Sequence, residues 1–207
     1  MMNNLWFCSD WHFGETRLEI MQRPFKTTEE HDEALIANHN SLVAPDDSVI
    51  IAGDCVYNKD CLPIISRMNG HKTLIRGNKE RGIEDAELLK YFDKIIPEGD
   101  GIYYNYQPLD GTAVIPCFIT HYPTKGQKDY FNLSGHIHSA WKYQLNALNI
   151  SVDVHHFRPM NSNMIPFFLK AICNFYDQDV WVAYQDYNSQ FVGKRGRKGS
   201  YLDSMEK

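Results

Sequence analysis

Long apolar runs are absent from this chain. No segment approaches the ~20 consecutive apolar residues needed to cross a bilayer, so no membrane partner is expected. Cysteine is scarce and unpatterned. Cys8, Cys55, Cys61, Cys117 and Cys173 are an odd count without framework spacing, which argues against a disulfide-stapled scaffold and fits buried thiols in a reducing cytosol. A basic excess is missing too: the net charge is -5. No general polyanion-binding surface is expected, and any affinity for phosphate has to come from a local site. The first residues have neither the basic n-region nor the long apolar h-region of a signal peptide, so a cytoplasmic location is expected. There is no internal repeat and no linker-like segment. With 207 residues, 43% of them hydrophobic and 13% aromatic, the chain can fill one sizeable core. A single domain is expected over residues 1–192, followed by a tail over 193–207. That tail opens on the basic, glycine-rich GKRGRKGS and is expected to be mobile. Charges among glycines are usually solvated, so nucleic acid is not indicated as a partner, although the tail leaves it open.

What the chain does have is a repeated succession of short apolar strands, each running into a polar loop. Leu5–Cys8 reads as a buried strand ending in Ser9-Asp10-Trp11-His12. Thr27-x-x-Glu30 has the form of a capping box and opens a helix through about Leu42, with Ala34, Leu35 and Leu42 expected in the core. Ser48–Ala52 is a second strand, ending in Gly53-Asp54. Cys61–Met68 reads as a short helix closed by Asn69-Gly70. Lys72–Arg76 is a third strand running into Gly77-Asn78-Lys79-Glu80, and Glu84–Tyr91 another helix. Beyond residue 93 strands dominate: Lys94–Ile96, Ile102–Tyr106, Ala113–Thr120, Tyr130–Leu133 and Asn149–Val154. From Met164 to Tyr184 an apolar, aromatic stretch fits a helix or a helix followed by a strand. Helices between the early strands and mostly strands thereafter predict a layered α/β or α+β sandwich.

Metal-competent residues stand just beyond these strands. Asp10 and His12 follow the first, Asp54 the second, Asn78 the third; His121 follows PCFIT, and His136 and His138 sit in Ser134-Gly135-His136-Ile137-His138. Loops at the carboxyl ends of strands are where α/β folds assemble their sites. A mixture of hard carboxylate oxygen and borderline imidazole nitrogen suits Mn, Fe or Zn better than Ca. Seven such residues can supply two ions sharing a bridging carboxylate. Singly, each His or Asp reads as a hydrogen-bonded loop residue, and Asn78 as a turn residue after Gly77; their joint spacing is what points to metal.

Taken together, the blocks Asp10-Trp11-His12, Gly53-Asp54, Gly77-Asn78-Lys79-Glu80, His121 and Gly135-His136-Ile137-His138 resemble, in order, the signature of the calcineurin-like metallophosphoesterase superfamily. The resemblance covers residues 4–160. His12-Phe13-Gly14, Arg23-Pro24-Phe25, Asp46-Asp47, His121-Tyr122-Pro123 and Val152–Pro159 are further features similar to its small phage and bacterial branch. It implies a four-layer α/β/β/α sandwich with a dinuclear site at its top. Asp10, His12 and His138 would hold one metal, Asn78, His121 and His136 the other, and Asp54 would bridge them. The cofactors implied are two divalent transition-metal ions, Mn2+ first, with Fe, Zn or Ni also suited to the donors. The catalytic set implied is Asp54, Asn78 and Lys79.

The sequence departs from that family at Lys79, where most relatives carry a histidine able to protonate a leaving alkoxide. Lysine keeps the positive charge but donates a proton poorly near pH 7; the alternative is a surface ion pair between Lys79 and Glu80. Glu15 likewise stands where close relatives often carry His. Lys79 and Arg158 are the candidate substrate-binding residues, with Lys125 and Lys128 near enough in sequence to His121 to meet an anion. His155 and His156 are expected to orient loops or line a cleft without ligating. Two functions remain open on this basis. One is a metal-dependent phosphoesterase for a small phosphate ester or nucleotide, with diesters favoured over monoesters or phosphoproteins. The other is a catalytically inactive phosphoesterase-fold binding module.

Overall fold

In the computed structural model, residues 4–108 and 111–175 are described. Among the described residues, ten strands form two five-stranded sheets. In the first, β1 (Leu5–Cys8), β2 (Ser48–Ile51), β3 (His71–Ile75) and β4 (Lys94–Ile96) run parallel, and β10 (Met160–Asn161) joins antiparallel beside β1. In the second, β6 (Ile115–Thr120), β7 (Phe131–Ser134) and β9 (Ala147–Asn149) are parallel. They are flanked by antiparallel β5 (Gly101–Tyr106) and β8 (Tyr143–Gln144). This is the mixed α/β class expected from the succession of elements.

The apolar runs of β1, β2 and the end of β3 follow from the period-two alternation of a strand buried on both faces. Trp6, Cys8, Val49, Ile51 and Leu74 enter one core, shared with Leu35 and Ile36 of α1 (Thr28–Asn40) and Leu62 and Ile65 of the 3-10 segment Lys59–Arg67. Phe7, Ile50 and Ile75 enter a second core, between the sheets, against Ile115, Cys117, Ile119, Phe131 and Leu133. Ile165, Leu169 and Ile172 of α3 (Ile165–Phe175) close that core with one helical stripe.

Several boundaries differ from expectation, each for a local reason. Thr27 caps α1 by accepting Glu30 N–H, but the Glu30 carboxylate turns to Lys26 N–H, so the capping box is only half made. The buried positions of α1 are His31, Leu35, Ile36 and His39; Leu42 lies beyond the helix and is exposed. Two histidines in the stripe hide its amphipathicity. The helix expected over Glu84–Tyr91 is a single turn, α2 (Asp85–Leu88). The strand expected over Asn149–Val154 ends after Asn149. Ser151 only bridges Ser9, and Val152–Val154 curls into a 3-10 turn whose Asp153 N–H is taken by the Ser151 hydroxyl. Cys8, Cys55 and Cys117 are buried as expected, whereas Cys61 and Cys173 are partly exposed. The apolar stretch beyond residue 175 and the basic tail lie outside the described residues. Among the described residues no helix is long and apolar enough to cross a membrane.

Candidate metal centre

The polar loops after β1, β2, β3, β6 and β7 meet at one end of the two sheets. The loop after β1 runs beside the loop after β2, with Asp10 N–H on Gly53 O, His12 N–H on Asp54 O and Phe13 N–H on Cys55 O at 2.9–3.0 Å. This ladder holds Asp10, His12 and Asp54 in left-handed backbone, at φ of 58°, 52° and 54°; His136 and His138, at 72° and 48°, share it. Such conformations cost a non-glycine residue roughly 1–3 kcal/mol each and persist only where the surroundings impose them. Five of the seven expected ligands carry that cost. Two glycines are required by close approach. A Cβ on Gly77 would run into the Asp54 carboxylate and the His121 ring, and one on Gly135 into Ser9 and the Asp10 carboxylate.

Two clusters result. Asp10, His12 and His138 form one, and Asp54, His121 and His136 the other, the donor atoms within each lying within 4.8 Å of one another. Asp54 lies between them: Oδ2 is 3.5 Å from His12 Nε2, and Oδ1 is 3.6 Å from His121 Nε2. Asn78 joins the second cluster, its Oδ1 3.3 Å from His121 Nε2.

The hydrogen bonds around these rings show what they are free to do. His121 uses Nδ1 on Ala52 O at 2.7 Å. In that tautomer Nε2 presents a lone pair, which converges with an Asn78 oxygen and an Asp54 oxygen without a proton among them. A cation satisfies that arrangement. His138 uses Nδ1 on Asp153 Oδ2 at 2.8 Å, which leaves its Nε2 lone pair for the first cluster. His12 is buried with neither ring nitrogen hydrogen-bonded, a situation that costs a folded protein about 1–3 kcal/mol per polar atom unless something binds there. Its Nδ1 faces Glu15 at 3.7 Å, beyond hydrogen-bond reach. Glu15 is itself buried and paired with Arg17, and that pairing outweighs burial to hold its carboxyl at about 2. These donors fit divalent transition metals: mixed imidazole nitrogen and carboxylate oxygen, with an orphaned buried imidazole.

Electrostatics agree with a cation site. Burial pushes the Asp54 carboxyl up, but the His12 and His121 rings and the Lys79 N–H outweigh it and hold it below the usual carboxylate range. Burial and the His121 ring lower His136, whereas at His138 the Asp153 bond overcomes burial and raises it. Asp10 is fixed by the Ser9 hydroxyl at 2.6 Å and by His136 N–H at 3.0 and 3.1 Å.

Glu80 is a correction. It does not pair with Lys79 at the surface. It is fully buried, and its carboxylate accepts N–H bonds from Asp54 (3.0 Å), Cys55 (2.7 Å) and Gly77 (2.8 Å). One side chain thus holds the loops after β2 and β3 together. Burial and the nearby Asp54 raise its carboxyl, against the pull of those three donors. Lys79 gives its backbone N–H to Asp54 Oδ1 at 2.9 Å and rests its ammonium 5.1 Å over the Tyr57 ring, which Arg17 also faces, at 5.3 Å. Arg158, Lys125 and Lys128 are exposed, and none of them belongs to either cluster. His155 bonds Asn149 O at 2.8 Å and His156 is exposed; neither joins a cluster. Besides Glu80, Arg23 and Asp153 escaped a functional reading of the sequence. The signal available was a charged residue inside otherwise apolar surroundings, in Arg23-Pro24-Phe25 and Val152-Asp153-Val154.

No protein-family model matches the chain. The Gene 66 protein of Mycobacterium phage L5 is 38% identical over 84 residues, 38% of this chain and 41% of the phage protein, so the match spans under half of that relative. Among solved structures, the protein of unknown function AQ665 from Aquifex aeolicus aligns with a TM-score of 0.59 at 21% identity. The alignment covers 81% of this chain and 100% of that one. The nuclease MPE of Pseudomonas putida aligns with a TM-score of 0.43 at 22% identity, over 65% of this chain and 61% of that one. An archaeal phosphodiesterase aligns at 0.40 and 18%, over 72% and 82%. At these identities it is the fold that this chain shares with AQ665.

Proposed function

We propose that this protein is a metal-dependent phosphoesterase with a dinuclear centre, acting on phosphodiesters of nucleotide type in preference to monoesters. The observation that carries the reading is the place of Asp54: each of its carboxylate oxygens faces the Nε2 of a histidine from a different cluster. Asp10, His12 and His138 would hold one ion, and Asn78, His121 and His136 the other. When bound, two divalent ions supply Lewis-acid polarisation of a phosphoryl oxygen and bring the ionisation of water toward neutral pH.

The chain's own residues do the rest. Asp54 sets the spacing of the clusters and balances their charge. Asn78 offers a neutral oxygen, so the second cluster carries no carboxylate beyond the shared one. Lys79, tied to Asp54 by its backbone and only partly exposed, keeps a cation beside the site, where it attracts a phosphate anion. Arg158 is the second candidate for that anion. Lysine is a weak proton donor near neutral pH, so an ester whose leaving group needs little protonation is favoured. Diesters meet that condition better than monoesters of unactivated alcohols, because their hydrolysis leans on electrostatic clamping.

The test is a metal-supplemented screen of bis-p-nitrophenyl phosphate, p-nitrophenyl phosphate and a nucleotide panel, with parent and Asp54→Asn protein compared. Parent turnover that needs Mn2+ and favours the diester is expected. Asp54→Asn should lose more than the about 10–100-fold typical of a residue that merely supports a ligand. Equal activity in the variant, or no metal dependence, would remove the reading.

A further inference from the structure

Arg23 is buried, 4% exposed, in the loop between β1 and α1. Its guanidinium has five N–H groups, and five acceptors receive them. Nε and Nη2 grip the Asp153 carboxylate as a fork at 2.9 Å each. The other Nη2 proton goes to Asp10 O at 2.5 Å, one Nη1 proton to Trp11 O at 2.7 Å, and the last to His31 Nε2 at 2.6 Å. Guanidinium can only donate, so His31 Nε2 is an acceptor. His31 is therefore neutral and protonated at Nδ1, which donates to Asp32 at 2.8 Å; Asp32 in turn receives Gly14 N–H. On the other side Asp153 receives His138 Nδ1–H at 2.8 Å and the Ser151 hydroxyl at 2.8 Å.

The bonds of Arg23 to the Asp10 and Trp11 carbonyls and to Asp153 lead to a single cluster. The Asp10 and Trp11 carbonyls belong to the strained turn that carries Asp10 and His12, and Asp153 sets the tautomer and tilt of His138. The other cluster has a separate support, the Glu80 carboxylate beneath Asp54 and Gly77. We propose that Arg23 is a positioning residue that locks Asp10, His12 and His138 into one unit, and so sets the metal affinity of that cluster alone. The proposal rests on the dinuclear reading above. Only a planar fork reaches all five acceptors; a lysine ammonium offers three donors from a single point.

Mn2+ titration calorimetry on the parent, Arg23→Lys and Asp153→Asn, with folding checked by thermal unfolding, tests it. Two ions are expected in Arg23→Lys, one at parent affinity and one weaker by about 10–100-fold. Adding Arg23→Lys to His138→Ala should leave the affinity of the other cluster's ion unchanged, whereas adding it to His136→Ala should weaken the ion held by Asp10, His12 and His138. Equal weakening of both ions, or of neither, overturns the proposal. Should Arg23→Lys not fold, Asp153→Asn is expected to show the same one-ion loss, and parent-like affinity for both ions there overturns it. A readout without metal separates this from the dinuclear reading itself. In metal-free protein the His138 Nδ1–H should give a protected, slowly exchanging NMR signal that vanishes in Arg23→Lys. A signal that persists in the variant overturns the positioning role even if the parent binds fewer than two ions, which would contradict the dinuclear reading separately.

Discussion

At the scale of single residues, Lys79 is the position with the most chemical consequence. Its ammonium lies over the Tyr57 ring beside Arg17, and its backbone N–H ties it to Asp54. Lys79→His should raise kcat/KM for alkyl monoesters by about 10-fold or more relative to diesters, at the low end of what a positioned proton donor contributes. An unchanged ratio, measured on both ester types in parent and variant, would make Lys79 a bystander. The seven residues expected as ligands stood out in the sequence because each lies within four residues of the end of a strand, and the fold gathers six of them into two clusters with Asn78 beside one. Glu80 did not. Its neighbour Lys79 suggests a surface ion pair, and only the folded loops show three backbone N–H groups pointing at its carboxylate.

At the scale of elements, what matters is how strand ends are joined. The loops after β2 and β3 have no strand ladder between them, and Glu80 replaces it by receiving N–H bonds from Asp54, Cys55 and Gly77. Removing it leaves three donors without an acceptor. Glu80→Ala should cost about 2–5 kcal/mol in urea unfolding of metal-free protein. Glu80→Gln, which keeps one oxygen acceptor but brings an extra donor, should lie between. A cost under about 0.5 kcal/mol, the range of an ordinary surface change, would show that the carboxylate is not holding the loops. The first two parallel strands were readable because burial on both faces makes their runs, Leu5–Cys8 and Val49–Ile51, wholly apolar. The buried face of α1 was not, since His31 and His39 occupy half of it. The segment after β9 was misread because Val152 and Val154 favour a strand, while the Ser151 hydroxyl and the tethered Asp153 carboxylate impose a turn.

At the scale of the whole molecule, each cluster draws its residues from both sheets. Asp10 and His12 follow β1 and meet His138, beyond β7; Asp54 and Asn78 follow β2 and β3 and meet His121 and His136, beyond β6 and β7. Both clusters therefore assemble only when the sheets are docked. Stability also depends on histidines away from it. Burial holds His39 at about 4, with its Nε2 on Asn69 O, and His155 likewise at about 4. Unfolded, both return to about 6.5, so below that pH the unfolded chain takes up protons that the folded chain refuses. Their stabilisation is complete above pH ~6.5 and is lost as pH falls toward 4, by about 2 kcal/mol per histidine at pH 5. Urea unfolding in chelator at pH 7 and 5 should show that slope, and His39→Gln should flatten it; an equal slope in the variant would exclude His39. The most direct test of the dinuclear centre is anomalous diffraction from crystals grown with Mn2+. Two peaks are predicted, about 2.0–2.3 Å from their donors. One should lie among Asp10, His12 and His138, the other among Asn78, His121 and His136, with Asp54 reaching both. One peak, none, or peaks elsewhere would contradict it.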